Sequence, residues 1–529
     1  MSDTHNEQAR GEAESPLAIS LTNISKNFGA VQANKDVCLS VQPGTIHGIV
    51  GENGAGKSTL VSILYGFYTA DRGSVSIAGQ QVKLRSSADA IAAGIGMVHQ
   101  HFMLVPNFTV LENIILGHEG GQDLNAGKQQ AESSLRDIAD RYGLSVDLQA
   151  VVQDLPVGLQ QRVEILKALY RGARVLILDE PTGVLTPQET EQLFDILRTL
   201  QQQGVTILLI THKLKEIMAV TDFVSVMRSG EMVDHLKTAA TTPQQLAELM
   251  VGRPVLLDVG YAAAEPGQPV LRADNLSVIG ASGVSYLSGL SFAVYQGEIL
   301  GIAGVSGNGQ SELLEVLAGI RPVSSGSLQL GGRQITSEHP ATPSEIKNLG
   351  LAHVPEDRHA VGLILPFSAA ESAVLGYEYA EVMGGQSASL SPRQMEQHCQ
   401  GLMTDYDIRP ADPSLKSNLF SGGNQQKIVL ARELSSQPSI LLVGQPTRGV
   451  DIGAIEFIHK QLLEMRDKGC AVILVSVELD EIMSLSDRIM VMNDGRNMGI
   501  VNRAETGIQE IGLMMAGVDT ASPPIKKAH

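Results

Sequence analysis

Gly51-Glu52-Asn53-Gly54-Ala55-Gly56-Lys57-Ser58-Thr59 reads G-x-x-x-x-G-K-S, the phosphate-binding loop. The apolar run Ile46-His47-Gly48-Ile49-Val50 precedes it, and Leu60-Val61-Ser62-Ile63-Leu64 follows with helical spacing. The loop therefore sits where a strand turns into a helix. Glycines there let backbone N–H groups curl round an anion, and the helix N-terminus adds a favourable dipole. Lys57 is placed to reach the β- and γ-phosphates and the Ser58 hydroxyl to hold a divalent cation. A glycine-rich turn matching by accident would lack this strand-to-helix context.

Working outward, Ile19 to Gly29 alternates as a β segment and ends in Phe28, a core aromatic or a ring that stacks on a base. Gly96 to Gln100 is a strand ending in a polar pair, and Phe108 to Ile114 opens a helical stretch. Val175-Leu176-Ile177-Leu178 is an apolar strand ending in Asp179-Glu180, and Val205 to Thr211 is another, ending in His212. Alone, Glu180 would be an ordinary strand-end carboxylate. His99 and His101 read as surface or core histidines.

The pattern then repeats. Gly304-Val305-Ser306-Gly307-Asn308-Gly309-Gln310-Ser311-Glu312 lines up with residues 51–59. Phe367 to Glu371 matches Phe108 to Glu112, and Leu441 to Thr447 matches Leu176 to Thr182. The chain is a tandem duplication. Strands alternating with helices predict an α/β fold with a largely parallel core sheet in each half. The expected division is a tail over 1–16, a first domain over 17–252, a linker over 253–268, a second domain over 269–517 and a tail over 518–529.

Composition narrows the classes. With 529 residues and 43% hydrophobic content, two domains of ordinary size are expected. A net charge of −18 argues against nucleic acid held on a broad basic face. Cys38, Cys399 and Cys470 lack metal-ligand spacing and read as reduced thiols. No apolar run approaches the length of a membrane-spanning helix, and residues 1–16 lack the basic and apolar regions of a signal peptide.

Taken in order, the phosphate loop, Gln100, Ser421-Gly422-Gly423-Asn424-Gln425-Gln426, Asp179-Glu180 and His212 resemble an ABC ATPase. The stretch from Ser421 resembles that family's signature motif. The likeness covers nearly the whole chain, once per half, and is closest to the fused double-ATPase subunits of bacterial importers for simple sugars and nucleosides. His99 to Pro106 and the degenerate second half resemble the nucleoside, basic membrane lipoprotein-linked branch.

The resemblance implies two P-loop ABC ATPase domains, each with an antiparallel β part and a helical subdomain, that pair head to tail and bind ATP and Mg²⁺. One site joins the first phosphate loop, Gly51 to Thr59, to the second signature. Phe28 would stack on adenine, and Ser58, Gln100 and Asp179 would surround the metal. Glu180 would act as base, with His212 and Gln100 at the γ-phosphate. Ser421, Gly422, Gly423, Asn424 and Gln425 would close over the nucleotide, with Asp451 at the same interface. The other site is eroded: Gln310, Gly444, Gln445 and Val477 stand where Lys57, Asp179, Glu180 and His212 are. Glu356 stands at the Gln100 position, and Pro156 and Thr186 replace the facing signature serine and aspartate.

The implied partners are transmembrane permease subunits, docking around Gln100 to Glu112 and Glu356 to Glu371, and through them an external substrate-binding protein. The implied location is the cytoplasmic face of the bacterial inner membrane. The rival reading is a soluble tandem ABC ATPase acting on ribosomes or nucleic acid. Those have two intact sites and a long charged linker, and this chain has neither.

Overall fold

The structure is a computed structural model that describes residues 16–29, 31–99, 102–118, 124–183, 185–256, 260, 264–280, 283–305, 307–378, 390–450 and 452–518. The expected tails, apart from Pro16 and Val518, and part of the expected linker lie outside the described residues. The chain forms two compact units, Met1–Val255 and Leu256–His529.

In the first unit a six-stranded sheet runs in the order Glu231–Lys237, Phe223–Arg228, Ile46–Gly51, Thr206–Ile210, Val175–Asp179 and Ile95–Val98. Only the first pair is antiparallel; the other neighbours are parallel. Ile46–Gly51 and Thr206–Ile210 are buried at every position, as strands covered on both faces must be. That is why they read as continuous apolar runs. A second, antiparallel sheet has the order Val31–Val41, Ile19–Phe28, Arg72–Ile77 and Gln80–Val82. Its inward side chains Ile19, Leu21, Ile24, Val37 and Leu39 share one core with Leu60 and Leu64 of the helix Lys57–Leu64 and with Ile49 and Ile177 of the parallel sheet.

The second unit repeats both sheets. Its core sheet runs Leu351–Val354, Ile440–Gly444, Ala471–Ser476, Ile299–Ala303, Arg488–Asn493 and Arg496–Asn502. Its antiparallel sheet runs Ser285–Tyr295, Pro269–Ile279, Ser325–Leu330 and Arg333–Ile335. The largely parallel core sheet of each half agrees with the sequence reading. In each core sheet the strand before the phosphate loop is flanked by strands that come much later in the chain. Ligands bind at such crossing points, outside the carboxyl ends of the strands.

The repeat extends to a local distortion. The pairing of Ile19–Phe28 with Arg72–Ile77 slips between Thr22 and Ser25, and the pairing of Pro269–Ile279 with Ser325–Leu330 slips between Asp274 and Ser277. Asn23 and Asn275 take left-handed backbone at φ 51° and 49° inside these bulges. Gly73 and Gly326 lie against them at φ 96° and 83°. A Cβ on Gly73 would meet the Asn23 carbonyl oxygen at 2.5 Å, and one on Gly326 would meet that of Asn275 at 2.2 Å. Both a left-handed backbone and a backbone contact therefore require glycine.

Gly73→Ala and Gly326→Ala are each expected to destabilise their own unit by roughly 2–4 kcal/mol. Gly143, at φ 68° with nothing within 4 Å of a Cβ, is the control; Gly143→Ala should cost about 1–2 kcal/mol. Thermal melting of the three variants checks the difference.

Candidate functional site

The three loops at the carboxyl ends of Ile46–Gly51, Val175–Asp179 and Thr206–Ile210 bring Lys57, Asp179, Glu180 and His212 together. Gly54 and Gly56 have φ 81° and 98°. A Cβ on Gly56 would lie 2.3 Å from the Ala33 carbonyl oxygen, so only glycine fits where the loop enters its helix. The Asn34 side chain donates to the Gly56 carbonyl at 3.1 Å, and the Gly230 N–H donates to the Ala55 carbonyl at 3.1 Å. The loop is thus pinned from two neighbouring segments before any ligand arrives.

Lys57 is 6% exposed. Its Nζ donates to the carbonyls of Gly51 at 2.6 Å and Glu52 at 3.0 Å. Burial pushes the ammonium below its ordinary pKa, while Glu180, Asp179 and Glu52 pull it back up. Asp179 answers the same forces in reverse. Burial and the neighbouring Glu180 charge raise it to about 6, against the pull of Lys57. Glu180 goes the other way: its Oε1 lies 2.8 Å from His212 Nδ1, and that hydrogen bond holds the carboxyl below its usual range. Glu180 also takes left-handed backbone, φ 47°, with its N–H donating to the Ile210 carbonyl at 2.8 Å. The kink turns the chain sharply at the strand end and is the kind of backbone strain that accompanies functional positions.

These residues fit a nucleotide with its cation. The loop offers backbone donors and a buried ammonium, and Asp179 is a carboxylate whose ionisation the protein alone opposes, so a divalent cation would relieve it. Ser58 is exposed at the helix start. Phe28 is 43% exposed, which excludes the core-aromatic reading. Its ring lies 5.1 Å from that of Tyr68, with Lys26 Nζ 5.6 Å from its centre. Tyr68 was not legible as a neighbour from the sequence. Gln100, His101 and Asp451 lie outside the described residues. His99 stacks on Phe67 at 5.7 Å and, being half-buried, titrates below its ordinary range.

The second unit keeps the scaffold and loses the chemistry. Gly309 repeats the Gly56 conformation at φ 94°. Gln310, in place of Lys57, is 5% exposed, and its Nε2 is buried without a hydrogen-bond partner among the described residues. Ser311 donates to the Glu356 carboxylate at 2.6 Å. Gln445 repeats the left-handed φ of Glu180, 47°, and its N–H donates to the Val475 carbonyl at 2.7 Å. The Gln445 Oε1 accepts from the Val477 backbone N–H at 3.3 Å, on the residue aligned with His212. At Gly444, a Cβ would meet Leu314 Cδ1 at 2.7 Å and the Glu356 backbone nitrogen at 2.9 Å, so the space of an aspartate is filled.

The signature stretch also differs between the units. Ser421 caps the helix Gly422–Ser435, accepting from the Asn424 N–H at 3.4 Å and from Asn424 Nδ2 at 2.9 Å. Its counterpart, the helix Val157–Tyr170, starts after Pro156 with no side-chain cap.

Two cores, each with a phosphate loop between a buried parallel strand and a helix, define a tandem P-loop nucleotide-binding protein. The ABC transporter family model matches residues 34–183 and 287–448, and the chain belongs to the ABC transporter family as an ATPase. It is 46% identical over 499 residues to the nucleoside import ATP-binding protein NupA of Lactococcus lactis subsp. cremoris, covering 94% of this chain and 98% of that protein. It is 47% identical to the guanosine import ATP-binding protein NupO of Bacillus subtilis, covering 94% and 97%. It is also 45% identical to the glucose import ATP-binding protein TsgD13 of Haloferax volcanii, covering 94% and 95%.

The raised Asp179 yields a pH prediction. A carboxyl with a folded pKa near 6 and an unfolded one near 4 lends stability that is full below about pH 4 and lost as pH rises through about 6. Asp179→Asn removes that loss. Without nucleotide, the variant should be more stable than the parent by about 1–3 kcal/mol at pH 8 and equal to it at pH 4. Melting curves across pH 4 to 8 check this, and a difference independent of pH refutes it.

Proposed function

We propose that the chain energises an importer for nucleosides or simple sugars and hydrolyses ATP at one site only. The carrying observation is that Lys57, Asp179, Glu180 and His212 converge on the first phosphate loop, while every counterpart in the second unit is replaced. The intact, capped signature lies in the other half of the chain. In the head-to-tail arrangement that family membership implies, Ser421, Gly422, Gly423, Asn424 and Gln425, with Asp451, serve the nucleotide held by Gly51 to Thr59.

The roles follow from the chemistry. Backbone N–H groups of Gly51, Glu52, Asn53, Gly54, Ala55 and Gly56 and the Lys57 ammonium hold the phosphates, with Thr59 beside them and Phe28 offering a ring to the base. Ser58, Asp179 and Gln100 would hold Mg²⁺, which neutralises phosphate charge when bound. Glu180 takes the proton of the attacking water, and His212, now bonded to Glu180, orients the carboxylate and faces the γ-phosphate side. Positioning and charge stabilisation are most of what phosphoryl transfer needs.

Among the described residues no helix is long and apolar enough to cross a membrane. The reading therefore requires membrane permease subunits, docked around Gln100 to Glu112 and Glu356 to Glu371, at the cytoplasmic face of the inner membrane. A substrate-binding protein would deliver the solute outside. Nucleosides rank first because two of the three relatives above import them by name; glucose import by the third keeps sugars in view. Nucleic acid has no part in this reading, and the acidic balance speaks against ribosome binding.

Glu180→Gln should bind ATP as the parent does and lose turnover by about 100-fold or more in the assembled transporter; near-parental turnover would remove Glu180 as base. Gln445→Glu in that background should restore nothing. Gly423→Asp should abolish hydrolysis. Gly158→Asp should impair it far less. A Cβ on Gly158 already lies 2.7 Å from Glu189 Oε1, so this variant's cost should appear in melting instead. Equal turnover loss in both would sink the asymmetric reading. Uptake of labelled nucleosides and pentoses into vesicles carrying the permease tests the substrate.

A further inference from the structure

The sequence reading gave the segment after Glu356 to permease docking and gave it no part in the nucleotide site. Eleven positions separate Glu356 from Phe367, against eight between Gln100 and Phe108. The extra length forms a π-helical turn, Arg358–Gly362, capped by Asp357, whose carboxylate accepts from the N–H groups of His359 at 2.8 Å and Ala360 at 3.0 Å. The turn aims Arg358 at the start of the signature helix Gly422–Ser435. Nη1 donates to the Arg448 carbonyl at 3.0 Å, and Nε lies 3.4 Å from Gln425 Oε1. Nη2 lies 2.7 Å from where a Cβ on Gly422 would be and 3.6 Å from the same point on Gly449.

Gln425 is held on both ends. His359 Nε2 lies 2.8 Å from its Oε1, and its Nε2 donates to the Ser417 carbonyl at 3.0 Å. Glu356 links this cluster to the degenerate loop. It accepts from Ser311 and lies 4.0 Å from Arg448 Nη1. So a polar chain runs from the second phosphate loop, through Glu356 and the Arg448 turn, to Arg358 and the signature. In the first unit a carboxylate, that of Glu189, stands against Gly158, the residue that matches Gly423 rather than Gly422.

We propose that Arg358 is a positioning residue for ATP hydrolysis, its guanidinium fixing the first turn of the signature helix to the turn that carries Arg448 and Gly449. The inference rests on the reading that this signature serves the hydrolytic site. The guanidinium reaches the Arg448 carbonyl through Nη1 and Gln425 through Nε from one rigid plane, a geometry that the single-point ammonium of a lysine does not reproduce. Two loops that must reach the phosphates together then move as one piece, and small misplacements of such groups cost large factors in rate.

The test uses the full chain assembled with its permease, comparing Arg358→Ala, Arg358→Lys and Gly423→Asp. For Arg358→Ala, kcat should fall about 10- to 100-fold while KM for ATP stays within about twofold, because the phosphates remain on the first unit's loop. Arg358→Lys should recover little, and millimolar guanidinium should partly restore Arg358→Ala. Parental kcat in Arg358→Ala, or a rise in KM alone, overturns the proposal. If Arg358→Ala melts early, Arg358→Lys decides: turnover near the parent's overturns it. Full turnover in Gly423→Asp overturns the underlying reading. Loss there beside full turnover in Arg358→Ala overturns only this inference.

Discussion

A buried ammonium ion beside two carboxylates is the constraint on which the first unit depends. Lys57 cannot stay charged at 6% exposure without acceptors. The loop supplies two carbonyls, and the end of Val175–Asp179, one strand removed in the sheet, supplies Asp179 and Glu180. Two chain segments far apart in sequence must therefore meet at one point. The arrangement is balanced rather than relaxed. Asp179 is pushed toward protonation, while Glu180 is kept ionised by His212. Two adjacent carboxyls with divergent proton affinities can divide the labour, one meeting a cation and the other water.

Where Lys57 is replaced by Gln310, that constraint disappears and its dependants go with it. Without an ammonium to face, an aspartate at position 444 would be an unpaired buried charge, and glycine costs less. Gln445 keeps the shape of Glu180 and spends its oxygen on the backbone of Val477. The scaffold survives because its own requirements are independent of the charge: apolar strands, glycine at the loop's end, and the bulges at Asn23 and Asn275. Removing one buried cation thus accounts for several substitutions together.

Much of this was legible in the sequence. The phosphate loop, the Asp179-Glu180 strand end and His212 each close an apolar run, so period and punctuation located them without tertiary information. The erosion of the second half was equally visible, residue against residue. What stayed hidden depends on distance along the chain. Arg358 meets the Arg448 carbonyl across 90 positions, and a π-helical turn has no compositional mark. The Phe28–Tyr68 pair needs the antiparallel sheet to be placed first. The opposite proton affinities of Asp179 and Glu180 could not be read from two adjacent letters, since burial and the His212 contact create them.

The packing at Gly444 has a consequence for the history of the chain. The Glu356 backbone nitrogen stands 2.9 Å from the point where a side chain would begin. With the segment that follows the strand Leu351–Val354 in that space, a reverting aspartate would collide before it could bind anything. Recovery would need that segment to retreat as well as the lysine to return. Loss of the second site thus works as a ratchet: restoring the aspartate alone does not restore the site.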